Sequence, residues 1–261
     1  MSKRIKYLIS SILSAIGFWF FLSLPYESHY YGLLVGVVLT TFCFWFGLGI
    51  IFENDIYTRI MSITLPVGFF IGFGLFAALL PSSLITSLIT SLLFGVVIYV
   101  IFLVENVFLV AIGSRTPPLY RAAYTVSLMM LLLTAFFLFN SLFSFKFYYW
   151  LNTILVFVIS LIVFLYHFYA VTIELPDDGK QKNIVNHVLI PSVLMAELGL
   201  VFSFWPVGIF KGSIYLVTII YILSGLLQAD LRERLFKRTW LTFVWIGVAI
   251  FFGILLNTSW R

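Results

Sequence analysis

VENVFLVAIGSRTPPLYRAAY, residues 104–124, joins one long apolar run to the next through a short charged turn. Glu105 enters while the run is still apolar, and Val107 to Ile112 continue it. Gly113 and the pair Pro117–Pro118 then reverse the chain, with Arg115 and Arg121 on either side. Glycine and proline break helices, so the stretch reads as two helices and a turn. The flanking runs are each long enough to cross a bilayer, which needs roughly 20 apolar residues. The fold class follows from repeating this unit along the chain.

Composition agrees. Of 261 residues, 62% are hydrophobic and only 10% charged, and the mean hydropathy is +1.13. A soluble domain carries about a quarter of its residues as charged ones, and a chain of this size has too little interior to hide so much apolar surface. The solvent is therefore mostly lipid. The 30 Phe, 14 Tyr and 7 Trp suit lipid-facing surfaces and interfacial belts. A net charge of +5 reads as basic loops facing anionic headgroups, not as a nucleic-acid surface. The lone Cys43 excludes an internal disulfide and a cysteine-built metal site. Met1 to Lys6 is basic and precedes an apolar run to Leu24 that ends in Leu-Pro-Tyr-Glu. That pattern predicts an uncleaved first helix instead of a signal peptide.

Nine spans are expected, at about 5–24, 33–52, 61–80, 84–107, 122–140, 150–170, 188–205, 214–229 and 240–256. The eighth is short and the fourth run long enough to hide an interfacial segment, so eight and ten are the alternatives. The distribution of positive charge orients the bundle. With the N-terminus in the cytoplasm, Lys3, Arg4, Lys6, Arg59, Arg115, Arg121, Lys180, Lys182, Arg232, Arg234, Lys237 and Arg238 fall inside. Only Lys146, Lys211 and Arg261 fall outside. The expectation is a single all-α integral membrane domain over 1–261: four hairpins closing outside, then a ninth helix with the C-terminus outside. Outer turns are expected at Pro25, Pro81, Asn140–Ser141 and Pro206.

Small residues predict close helix contacts. Gly32 with Gly36 and Gly68 with Gly72 fit the small-xxx-small pattern. Ser83, Ser87 and Ser91, with Thr86 and Thr90, can bond across helices or back onto their own carbonyls. Pro66 and Pro191 are expected to kink helices three and seven.

Few polar groups remain for chemistry. Glu105 lies roughly 31 Å along helix four, near the cytoplasmic edge of the hydrocarbon, at 1.5 Å per residue. Arg115 and Arg121 are placed to pair with it, as a structural lock or as an inner gate. Glu197 falls near the middle of helix seven, and no Lys or Arg is expected at that depth anywhere in the chain. A carboxyl there is held neutral or hydrogen-bonded, and mid-membrane acids also mark proton or ion paths. His167 and His187 come at the cytoplasmic ends of helices six and seven, with Glu174, Asp177 and Asp178 between them. Their spacing matches no metal motif, and Pro-Asp-Asp-Gly is turn chemistry in its own right. Asp230 to Arg238 is expected as a surface helix with i,i+4 ion pairs, its Arg232, Arg234, Lys237 and Arg238 facing anionic headgroups. No nucleotide, phosphate-loop, serine-elbow or cysteine-pair motif occurs, so neither cofactor nor metal is expected.

Glu105-Asn-Val-Phe108, Arg115-Thr116 and Leu119-Tyr-Arg-Ala-Ala123 resemble a motif in uncharacterised polytopic proteins of candidate-phylum bacteria. Phe202-Ser-Phe-Trp-Pro206, the basic loop and Ser259-Trp260 extend the resemblance into the last third. It implies a bacterial cytoplasmic membrane and carries no activity. Three functions are open: a non-catalytic component binding a partner protein or lipid, a transporter or flippase using Glu197, and an enzyme acting on a lipid-linked substrate through His167 and His187.

Overall fold

In lipid every backbone N–H and C=O must be bonded within its own segment, so an apolar run can cross only as a helix. The computed structural model describes residues 3–49, 56–81, 83–114, 119–173, 175, 185–233 and 236–258. Among them are nine α-helices and no strand. They are α1 (Lys3–Ser23), α2 (His29–Leu48), α3 (Ile56–Ala78), α4 (Leu84–Ser114), α5 (Tyr120–Ser144), α6 (Tyr149–Thr172), α7 (Ile190–Phe204), α8 (Ile209–Leu231) and α9 (Lys237–Asn257). Eight are long and apolar enough to cross a membrane. The chain is an integral membrane protein. The eighth span, expected to be short, is 23 residues long, Ile209–Leu231.

Three details depart from the sequence reading. The third turn is not at Asn140–Ser141: both residues are buried inside α5, and Ser144 Oγ donates to the Asn140 carbonyl at 2.7 Å. The helix continues because Leu142 and Phe143 keep the run apolar, and the chain turns near Lys146, whose φ of 52° is left-handed. Asp230 to Arg238 is not one helix either. α8 ends at Leu231, Glu233 takes a left-handed φ of 53°, and α9 begins at Lys237. Pro191 stands at the start of α7, directly after a five-residue π turn, Val185–Leu189, instead of within the helix. A wider turn suits a residue that has no N–H to donate. Helix four does run on: α4 is 31 residues long, about 46 Å at 1.5 Å per residue. It outreaches a hydrocarbon layer of roughly 30 Å, so it tilts or projects.

The chain divides into two compact units, residues 1–138 and 139–261. In the first, α1 packs on α2 and α4, and α3 closes against both. Phe18 of α1 is fully buried and stacks on Phe94 of α4 with centroids 4.4 Å apart. Phe73 of α3 stacks on Phe18 at 5.5 Å and meets Phe137 of α5 edge-on at 5.0 Å. Glycine makes room for these rings. A Cβ at Gly36 of α2 would overlap the Phe70 ring, and one at Gly72 would come 3.2 Å from the Thr134 carbonyl of α5. The expected small-residue contacts are thus real at both positions. Among the α4 hydroxyls, Ser83 caps the helix through the Thr86 N–H at 3.1 Å, and Thr90 bonds back to Thr86 O at 2.8 Å.

In the second unit α6 packs mainly on α7, where a Cβ at Gly199 would press on Val156. α8 carries α9 against it: Tyr215 donates to the Gly253 carbonyl at 3.1 Å, and Gly225 makes room for Phe243.

Helices in lipid gain little from burying apolar area, because tails are as apolar as side chains, so shape fit decides. Phe18→Ala is expected to cost about 3–5 kcal/mol of unfolding free energy. Phe20→Ala, on the exposed side of the same helix, is expected to change it by less than about 0.5 kcal/mol. Equal losses in bilayer unfolding measurements would contradict this reading of the core.

Candidate functional site

The polar groups fall in separate places within the two units. At one end of the first unit Glu105 is completely buried on α4. Its neighbour Asn106 accepts a hydrogen bond from the Tyr7 hydroxyl of α1 at 2.8 Å. One turn further on, Phe108 packs against Tyr120 with centroids 5.6 Å apart, bringing the start of α5 alongside the Glu105 end of α4. Arg121 is exposed on that first turn of α5. Arg115 lies outside the described residues.

At one end of the second unit the two histidines serve different helices. His167 of α6 is buried, and its Nε2 lies 3.0 Å from the Ser224 carbonyl of α8. A carbonyl only accepts, so this nitrogen carries the proton. His187, on the π turn before α7, lies 3.0 Å from Asp230 Oδ2 at the end of α8, with its ring against Phe168 of α6. Both imidazoles tie the other helices to α8. Glu174, Asp177 and Asp178 lie outside the described residues, and among the described ones no three His, Cys, Asp or Glu side chains gather. Of the headgroup candidates, Arg232 follows the end of α8, Lys237 and Arg238 stand exposed on the first turn of α9, and Arg234 is not among the described residues.

Glu197 stands on α7 of the second unit. It lies twelve residues after Val185 and seven before Phe204 in the span Val185–Phe204. α7 buries Pro191, Ser192, Met195 and Gly199. Glu197 projects from the other side, exposed with Ile190, Val193, Val201 and Phe204. Among the described residues it makes no hydrogen bond and no ion pair.

The opposite end of the second unit holds a polar cavity of about 280 Å³, bordered by Lys146, Asn152, Ser203 and the first turn of α8. Sequence reading missed Asn106 and Asn152 as bonding groups. The signal was present: an amide inside an apolar span needs a partner.

A family described as a protein of unknown function, DUF5656, matches residues 8–257. The chain belongs to that family. Among curated proteins and solved structures nothing matches it. An uncharacterised family is what the resemblance of the Glu105 and Trp205 segments implied. As a member of DUF5656 the chain is a many-helix membrane protein whose polar groups have to be read from their geometry.

The two histidine contacts differ in exposure, which ranks them. Asp230 is 59% exposed, so the His187 pair is worth less than about 1 kcal/mol. His167→Ala removes a buried donor and is expected to cost about 1–3 kcal/mol. Thermal unfolding of His187→Ala as large as that of His167→Ala would overturn the ranking.

Proposed function

We propose that the chain is a non-catalytic component of a bacterial cytoplasmic membrane that docks a partner membrane protein along α7. The supporting observation is Glu197, an exposed carboxyl without a bonded partner among the described residues, in the middle of an apolar span. At 1.5 Å per residue it sits about 10 Å from the Phe204 end, inside the hydrocarbon layer. A charged acid there costs roughly 2.5–3.5 kcal/mol, and a protonated one still lacks its hydrogen bond. Lipid tails offer neither cation nor donor.

The occupant that meets this need is a helix of another protein with a Lys, Arg, amide or hydroxyl at the same depth. This chain places no Lys or Arg in mid-span, and a two-fold contact between two α7 helices would set acid against acid. The flanking exposed residues Ile190, Val193, Val201 and Phe204 recur every three or four positions, the spacing of one helix face. An interhelical hydrogen bond in lipid contributes about 1–2 kcal/mol, enough to select a partner without forcing permanent association.

The burial of Glu105 fits a structural acid, and the bond from His167 to a backbone carbonyl fits a helix tie, not a turnover role. The excess of positive charge on one side supports the N-terminus in the cytoplasm and the C-terminus outside. On that orientation Arg232, Lys237 and Arg238 lie at the inner headgroups, as partners for anionic lipid.

The test is photocrosslinking in the native membrane from probes at Val201 and, as a control, at exposed Trp245 of α9. The Val201 probe is expected to label one other membrane protein, on a spanning segment that carries a basic, amide or hydroxyl side chain. Glu197→Leu is expected to lower that yield about fivefold to tenfold, with the Trp245 pattern unchanged. Labelling of lipid alone or of a second copy, or a yield indifferent to Glu197→Leu, would overturn the proposal.

A further inference from the structure

The cavity beside Lys146 carries a second, independent reading: we infer that it binds a phosphate group, as the headgroup of a lipid or as the free ion. Its volume of about 280 Å³ suits a headgroup more than a drug-sized ligand. Three features converge on it. Lys146, exposed at the turn between α5 and α6, brings an ammonium to its rim. α8, 23 residues long, begins at the cavity with Gly208 as its cap residue, and no side chain caps it. A Cβ at Gly208 or at Gly212 would meet nothing within 4 Å, so open space lies directly against this first turn. The positive end of a long helix and a lysine facing open space form an anion site.

Asn152 gives the independent observation. It is 5% exposed and lines the same cavity. Its amide nitrogen reaches the Phe147 carbonyl at 3.3 Å and Ser203 Oγ at 3.4 Å, both long contacts. Its carbonyl oxygen has no donor among the described residues. A buried acceptor in that state is costly, so the site calls for a ligand that also donates. A phosphate bearing a neighbouring hydroxyl or amine supplies both halves, with acceptors for Lys146 and the α8 N–H groups and a donor for Asn152. Such a pair of groups is a phospholipid headgroup. The level fits as well: Tyr148, Tyr149 and Trp150 stand exposed around the same turn, as aromatic rings do at the membrane–water boundary.

This site is distant in role from the α7 face, and its test does not depend on any partner. The purified full chain is titrated by native mass spectrometry with dioleoyl-phosphatidylglycerol, with dioleoylglycerol, and with inorganic phosphate as competitor. One saturable phosphatidylglycerol site is expected, with dioleoylglycerol binding at least about fivefold more weakly. Lys146→Gln is expected to weaken phosphatidylglycerol about fivefold or more, and Asn152→Leu to do likewise. Asn152 is buried and its replacement can unfold the unit, so Lys146→Gln, at an exposed position, decides alone. Competition by millimolar phosphate, lost in Lys146→Gln, would support phosphate recognition with the free ion as occupant. Equal binding of the two lipids, or phosphatidylglycerol binding indifferent to Lys146→Gln in a chain that unfolds at the parental temperature, would overturn the inference.

Discussion

Lipid is as good an apolar solvent as another helix, so what holds this chain together is the fit of side chains and not their removal from water. Phe18 is where that fit is concentrated in the first unit. It stacks on Phe94 and Phe73, both of which touch rings on further helices, so α1, α3, α4 and α5 share one aromatic contact set. Close approach elsewhere is bought with small residues: Gly95 of α4 meets Ala15 of α1, and Gly36 of α2 seats Phe70. Each such contact is worth little alone, and their sum holds the helices together.

The same solvent makes polar groups expensive, and the chain handles several of them by pairing. Tyr7 and Asn106 bond to each other, His167 to a carbonyl, and His187 to Asp230. Each pair joins two helices, so the cost of burial is turned into a choice of neighbour. Glu197 is not paired in this way among the described residues, because its position on α7 is governed by the opposite face. Gly199 meets Val156 of α6 and Met195 is buried on the same face, and a residue two positions from each is carried to the other side of the helix. The acid is left exposed by the same packing that holds α7 in place.

Much of this was legible in the sequence. Apolar runs with polar turns gave the helices, because a bilayer permits no other spanning structure for them. Gly36 and Gly72 announced close contacts, since a span with glycine every fourth residue has few other uses for it. The depth of Glu197 was legible too, but its direction was not. Depth follows from counting along one helix, whereas direction depends on which face of α7 meets α6. The turn expected at Asn140 failed for a related reason: a polar pair that suits a turn is also tolerated within a helix when the run continues apolar beyond it, as it does through Leu142 and Phe143 of α5. Lys146 and Asn152 lie in separate elements, and only the fold brings them to one cavity with the start of α8.

What covers Glu197 in the native membrane is the question on which the functional reading turns. Native mass spectrometry of the protein released gently from its own membrane answers it most directly. A stoichiometric complex with another membrane protein is predicted, dissociating to the bare chain when Glu197 is replaced by Leu. A bare chain that retains only lipid, in the parent and the Glu197→Leu variant alike, would contradict it.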